Sequence, residues 1–434
     1  MFRLALLFLL CCCAVGCGLR DPITKTTVAT ADGQHTHAIF MDGTRNDFAS
    51  ETNVTKLRSQ LVYNEVNLEP NSLGTFYIDG VGARFKVMGM ATGWGFRHRV
   101  KTAYQYLIQH HRNGDNIYLF GFSRGAYSAR VLAALLRYGG LPDEPIKDKE
   151  KAKRIARVLY EAYKGDMVHQ QRVAAMSEAK DKLAIAGVFE RRSVKFMGLW
   201  DTVESMAMID WKEDPVGENE NHFDQLCNVQ KAVHAVSLDD NRATNFTPVL
   251  LARPERFEAC QETALGEPWV RTDDRMRDDR VKERLNATVD EVWFFGAHAD
   301  VGGGYEDHRV NAISLNWMFD HLVAQGLLPL GYERHIEGLN DEIHDAEKRM
   351  PIYLRNWRDL ASYVHPSYND GKLKVHSTVF QRLRADSSPG HLPPGLFHDD
   401  QEFKENCFSK EIGKFVLFDP IPAACLLTVA GPPK

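Results

Sequence analysis

Residues 117–130 read IYLFGFSRGAYSAR, and the organisation of the whole chain follows from that stretch. Ile117–Phe120 is a short apolar run stopped by Gly121. A run that is apolar throughout reads as a strand buried on both faces, as in a parallel sheet. From Ala126 to Tyr138 the sequence turns rich in Ala, Leu and Arg, then stops at Gly139-Gly140 ahead of Pro142. That is the pattern of a helix and its end. Between strand and helix stands Gly121-Phe122-Ser123-Arg124-Gly125, a G-x-S-x-G turn in the context that makes it meaningful. The chain must reverse sharply there, which puts Ser123 in a strained conformation with its hydroxyl above the sheet edge. Gly121 and Gly125 remove side chains that would clash in the turn. The helix N-terminus brings its positive dipole end to the same place, so the Arg124 N–H can bind a developing oxyanion.

Working outward, four similar runs recur. Ala38–Met41 ends in Asp42-Gly43-Thr44, and Thr75–Ile78 ends in Asp79-Gly80-Val81-Gly82. Val194–Trp200 ends in Asp201, and Val292–Phe295 ends in Gly296. Val100, Ala103, Tyr104, Leu107 and Ile108 follow helical spacing between the second run and the third. Strands alternating with helices predict an α/β fold with a doubly wound, mainly parallel sheet. Residues 143–192 read as a highly charged helical insertion and residues 211–290 as an irregular polar one, both placed as a cap over the site. Residues 37–434 are expected to form one domain.

A serine hydroxyl is a weak nucleophile until a histidine takes its proton and an acid orients that histidine. In α/β-hydrolases the chain order is Ser, then Asp or Glu, then His. Asp201 and His298 fit that order, each just past a strand's carboxyl end, where such sheets gather their catalytic groups. His376 is the next choice of base, and Asp300 the second candidate for the acid. The loop after the first run should supply another oxyanion donor, the N–H of Gly43 or Thr44. Asp42 and Asn46 are expected to pin that loop.

The chain has 434 residues, 44% of them apolar and 26% charged, with a net charge of −5. That excludes a disordered or disulfide-knot protein and argues against nucleic acid binding. Leu4–Val15 is an unbroken apolar run after Arg3, too short to span a bilayer and of signal-peptide length. Ala14-Val15-Gly16-Cys17 then resembles a bacterial lipobox, although Ala14 stands where Leu is usual. The expectation is a signal over residues 1–16, a lipid on Cys17 and a tether over 17–36. An ordinary secretory signal and an uncleaved anchor are the alternatives. Gly18, by resemblance to bacterial lipoproteins, favours the outer membrane over the inner. Cys227, Cys260, Cys407 and Cys425 allow two disulfides in an oxidising compartment or four thiols, with the pairing open. His110 and His111 are neighbours on an expected helix and diverge, so no metal site is expected, and a serine mechanism needs no cofactor.

Seven segments in order carry a family likeness: FMDGTRND (40–47), YIDGVG (77–82), YLFGFSRGAYSAR (118–130), MGLWDTVES (197–205), HAVSLDDNRATNFTP (234–248), VWFFGAHADVGGGY (292–305) and VHSTVFQR (375–382). Together they resemble the α/β-hydrolases that form the catalytic domain of type VI secretion phospholipase effectors, across roughly residues 37–385. The resemblance implies Ser123 as nucleophile, Asp201 as acid, His298 as base, and acyl esters of membrane lipids as substrate. The lipoprotein-like start points to an envelope esterase rather than an injected toxin. The competing expectation is a catalytically silent envelope lipoprotein that binds a lipid or protein partner. Oligomeric state has no signature in the sequence.

Overall fold

The computed structural model describes residues 22–25, 35–44, 46–64, 72–80, 94–165, 167, 169–183, 189–204, 224–242, 246–258, 260, 274–306, 309–345, 358, 360–371, 373–385, 408–411, 414–417 and 429–430. Its centre is a nine-stranded sheet. The strands are β1 (Ile23–Lys25), β2 (Thr36–Met41), β3 (Leu73–Ile78), β4 (Asn116–Phe122) and β5 (Phe196–Trp200). They continue with β6 (Ala232–Ser237), β7 (Val289–Phe294), β8 (Val375–His376) and β9 (Val429–Ala430). Their order is β1-β3-β2-β4-β5-β6-β7-β8-β9. Among the described residues of this sheet, only the β1–β3 pair is antiparallel.

Both faces of this sheet are covered, which is why its strands read as continuous apolar runs. Ile39, Met41, Ile117 and Leu119 face one core, and Ala38, Phe40, Tyr118 and Phe120 face the other. On the first face lie α2 (Trp94–His110) and α3 (Arg124–Tyr138), with Val100, Leu107, Leu132 and Leu135 fully buried. On the second lie α1 (Asn53–Asn64) and α8 (Asn311–Ala324), contributing Val54, Leu57, Ile313 and Met318. Leu119, buried at the centre of β4, contributes on the order of 2–5 kcal/mol relative to Ala. This is the α/β-hydrolase-like fold.

The sequence reading needs three corrections. Residues 211–290 are not an irregular excursion throughout: β6 is a central strand between β5 and β7, and α6 (Asp274–Thr288) leads into β7. Within residues 143–192 the described helices are α4 (Lys149–Tyr163) and α5 (His169–Leu183). However, α4 packs along α2 and buries Ile155, Leu159 and Tyr163 in the first core, thickening that flank. The expected tether over 17–36 contributes β1 at the sheet edge, and β2 already begins at Thr36. Cys227 and Cys260 form a disulfide, while Cys17, Cys407 and Cys425 lie outside the described residues.

The sheet order reverses between β2 and β4. Strand β3 lies to one side of β2, and the chain then returns to lay β4 on the other side. The carboxyl ends of β2 and β4 therefore flank a switch point, where such sheets place their sites. Asp42-Gly43 follows β2 there, and Ser123 follows β4.

Candidate active site

The turn after β4 shows why its sequence is what it is. Ser123 has φ 58° and ψ −130°, a conformation that costs a non-glycine residue on the order of 1–3 kcal/mol. It is held there by Ser123 N–H donating to Trp200 O at 3.0 Å on β5. A Cβ on Gly121 would stand 2.6 Å from the Ala126 backbone, and one on Gly125 would stand 2.1 Å from Met41 O. Both glycines are sterically required, and Gly125 is what lets the turn press against β2.

His298 opens the short helix α7 (His298–Gly302) after β7. Its Nε2 lies 2.8 Å from Ser123 Oγ, and its Nδ1 lies 2.6 Å from Asp201 Oδ2. Asp201 follows directly on β5 and is fully buried. The carboxylate fixes the proton on Nδ1, leaving Nε2 to accept from the serine hydroxyl. Three residues from three strand ends thus form one hydrogen-bonded chain. The imidazole is seated by Phe122 and Phe246, whose ring centres lie 4.6 and 4.8 Å from its own, and its backbone N–H donates to Asp240 at 3.1 Å.

The electrostatics fit that arrangement. Burial pushes Asp201 up, but the Arg358 guanidinium and the His298 hydrogen bond outweigh it and hold the carboxyl far below its usual range. Burial pushes His298 down further than Asp201 pulls it back, so the imidazole lies below its ordinary value and is neutral at pH 7. An anionic Asp beside a neutral His is the resting state a general base requires.

The remaining expected residues are placed as follows. Asp42 is buried and accepts from Gly43 N–H at 2.7 Å, Thr52 at 2.8 Å and Tyr77 at 2.9 Å, so it pins the loop. Burial raises its carboxyl to about 6 despite those bonds. The Gly43 N–H is therefore engaged by Asp42, which weakens it as an oxyanion donor. Thr44 Oγ1 accepts from Arg124 Nη1 at 3.0 Å, tying the β2 loop to the serine turn. Asn46 also closes the loop, its N–H donating to Gly43 O at 3.0 Å. His376 stacks on Phe294 and bonds Thr378 at 2.8 Å, and the imidazole that meets Ser123 is that of His298. Asp300 does not reach His298 and instead binds Ala297 N–H and His344.

Sequence reasoning gave no role to Asp240, Phe246 or Arg358. The first two lie inside the quoted segment 234–248, where the Asp-Asp pair was a visible signal. Arg358 carried none, because it meets Asp201 only through the fold.

The fold is of the α/β-hydrolase kind, and its strand ends carry a hydrogen-bonded chain of Ser123, His298 and Asp201. Residues 35–321 match the family described as type VI secretion system (T6SS), phospholipase effector Tle1-like, catalytic domain, and the chain belongs to that family. The chain is also similar to the "Uncharacterized protein YEL023C" of Saccharomyces cerevisiae, 27% identical over 233 residues. That match covers 49% of this chain and only 32% of the yeast protein, about a third of that relative's length. Among solved structures, an uncharacterized Pseudomonas aeruginosa protein aligns with 16% identity and a TM-score of 0.38, over 68% of this chain and 46% of that one. The butyrate-bound esterase 2 of Thermogutta terrifontis aligns with 14% identity and a TM-score of 0.33, over 71% and 90%. Family membership rests on the family match, and these looser likenesses add nothing to it.

Proposed function

We propose that the protein is a serine-dependent carboxylic ester hydrolase that cleaves acyl esters of membrane lipids. The observation that carries this reading is the chain from Ser123 Oγ to His298 Nε2 at 2.8 Å and from Nδ1 to Asp201 at 2.6 Å. Ser123 attacks the acyl carbonyl while His298 takes its proton, and Asp201 stabilises the imidazolium that forms. The tetrahedral oxyanion is bound by the Arg124 N–H at the start of α3 and by the Thr44 N–H. Collapse expels the alcohol, to which His298 returns the proton. Water then repeats the sequence on the acyl-serine. Membership of a phospholipase effector family supports glycerophospholipids as the substrate class.

The place of action in this reading is the bacterial envelope, with the chain tethered by a lipid on Cys17. The lipobox-like start supports it, and the Cys227–Cys260 disulfide suits an oxidising compartment. A Cys17→Ser variant should leave the membrane fraction, and one that stays there would overturn the anchor.

The test of function compares wild type with Ser123→Ala on fluorogenic acyl esters and on phosphatidylethanolamine vesicles, following fatty acid release by mass spectrometry. Wild type should release fatty acid from both. The variant should keep its circular dichroism spectrum and release none. Equal turnover by the variant would overturn the reading.

A further inference from the structure

Asp201 is a carboxylate with no exposure to water, yet the proposed reaction needs it anionic and aimed at His298 through every step. Two donors are plain from its position: His298 Nδ1–H to Oδ2, and Ser237 N–H to Oδ1 at 3.0 Å. The other two acceptor positions are filled from far along the chain. Arg358 Nη1–H donates to Oδ1 at 2.9 Å, and Arg358 Nη2–H donates to Oδ2 at 2.9 Å. The planar fork of a guanidinium matches the two oxygens of a carboxylate, fixing the plane of the group as well as its charge.

The guanidinium is itself immobilised. Arg358 is fully buried, and its nitrogens also donate to Ser237 O and, at 2.6 Å, to Phe246 O. Phe246 is the residue whose ring stands edge-on to His298. One side chain therefore grips the acid and the aromatic wall of the base together.

We propose that Arg358 is a positioning residue that locks the Asp201 carboxylate in the plane that serves His298 and keeps it an anion. This rests on the serine mechanism above. Without the fork, Asp201 would be a buried anion with two donors, and taking up a proton would relieve it. A protonated Asp201 no longer stabilises the imidazolium. The groups facing this pair are few. His298 meets Asp201 from α7, Asp240 with Arg242 faces both His298 and Arg358, and Asp239 and Tyr363 face Arg358. None of them supplies a second cation in contact with the Asp201 oxygens.

The experiment measures kcat and KM for p-nitrophenyl butyrate from pH 4.5 to 9 in wild type, Arg358→Met, Arg358→Lys and Ser123→Ala, with active sites counted by fluorophosphonate titration. Arg358→Met should lose on the order of 10²-fold in kcat with KM near wild type. Its acid limb should move to higher pH as Asp201 takes up a proton. Arg358→Lys restores the charge without the fork, so it should recover part of the rate and part of the limb. If Arg358→Met does not fold, the upward limb of Arg358→Lys carries the test. Arg358 would be only a structural staple if its folded variants kept the wild-type limb and kcat per active site while melting earlier. Turnover by Ser123→Ala would overturn the mechanism itself. An inactive Ser123→Ala beside unaltered Arg358 variants would overturn only the positioning role.

Discussion

Asp300 lies two residues beyond His298 on the same short helix, yet its carboxylate turns to His344. It accepts the His344 N–H at 2.9 Å and meets the ring Nδ1 at 2.6 Å, while that ring stacks on Tyr305 at 3.8 Å. The same carboxylate accepts Ala297 N–H at 2.9 Å at the start of the helix. Nearness in sequence to His298 therefore does not make Asp300 its partner. The carboxylate that meets His298 is Asp201, from the end of β5, and Asp300 fastens the segment around His344 to the helix.

The two aspartates should separate cleanly by mutation. Asp201→Asn removes the acceptor that fixes the His298 tautomer, and kcat should fall by about 10⁴-fold at unchanged fold. Asp300→Asn should keep a kcat of the wild-type order and cost about 1 kcal/mol of stability through the weakened helix start. Steady-state kinetics with thermal melts on both variants check this. Equal losses of kcat would contradict it.

The rate should fall on the acid side as His298 takes up a proton, because the protonated imidazole cannot accept from Ser123. Burial holds that imidazole below its ordinary value, so the acid midpoint of kcat/KM should lie below about 6.5. The sign is fixed: activity is present above the midpoint and lost as pH falls through it. A pH–rate profile on a neutral ester measures it, and a midpoint above 7 would contradict the assignment.

Gly302 should be intolerant for a steric reason. A Cβ there would stand 2.0 Å from the Phe122 ring, and that ring lies against His298. Gly302→Ala should lose about 1–3 kcal/mol by overpacking and on the order of 10²-fold in kcat by displacing the imidazole. Gly326→Ala is the control, since a Cβ there meets nothing within 4 Å and only its φ of 70° is strained. It should lose about 1 kcal/mol with kcat unchanged.

The Cys227–Cys260 bridge closes a separation of 33 residues around β6. The loop entropy removed from the unfolded chain should make it worth about 3–4 kcal/mol. The double variant Cys227→Ser, Cys260→Ser should unfold at correspondingly lower urea concentration, and so should wild type under reducing agent.

Much of the site was legible because its chemistry is local. The serine turn announces itself through two glycines between a strand and a helix. Ile117–Phe120 and Ala38–Met41 stand out because burial on both faces leaves no polar alternation to obscure them. Asp201 and His298 were found by asking which polar residues end such runs. Strand β6 was hidden because His234 sits inside it. Only the fold shows that imidazole to be paired, with Thr202 N–H at 3.0 Å and Glu291 at 2.8 Å. The edge strand Ile23–Lys25 is too short to show a pattern, and Arg358 meets its partner 157 positions away. Contacts of that separation are decided by topology, which one-dimensional spacing does not encode.

The most direct test of Ser123 as the activated nucleophile is the site of fluorophosphonate modification, read by peptide mass spectrometry. The adduct should fall on Ser123 alone, form rapidly in wild type, slow sharply in His298→Ala and vanish in Ser123→Ala. An adduct on another residue, or labelling at the wild-type rate in His298→Ala, would contradict the serine–histidine mechanism.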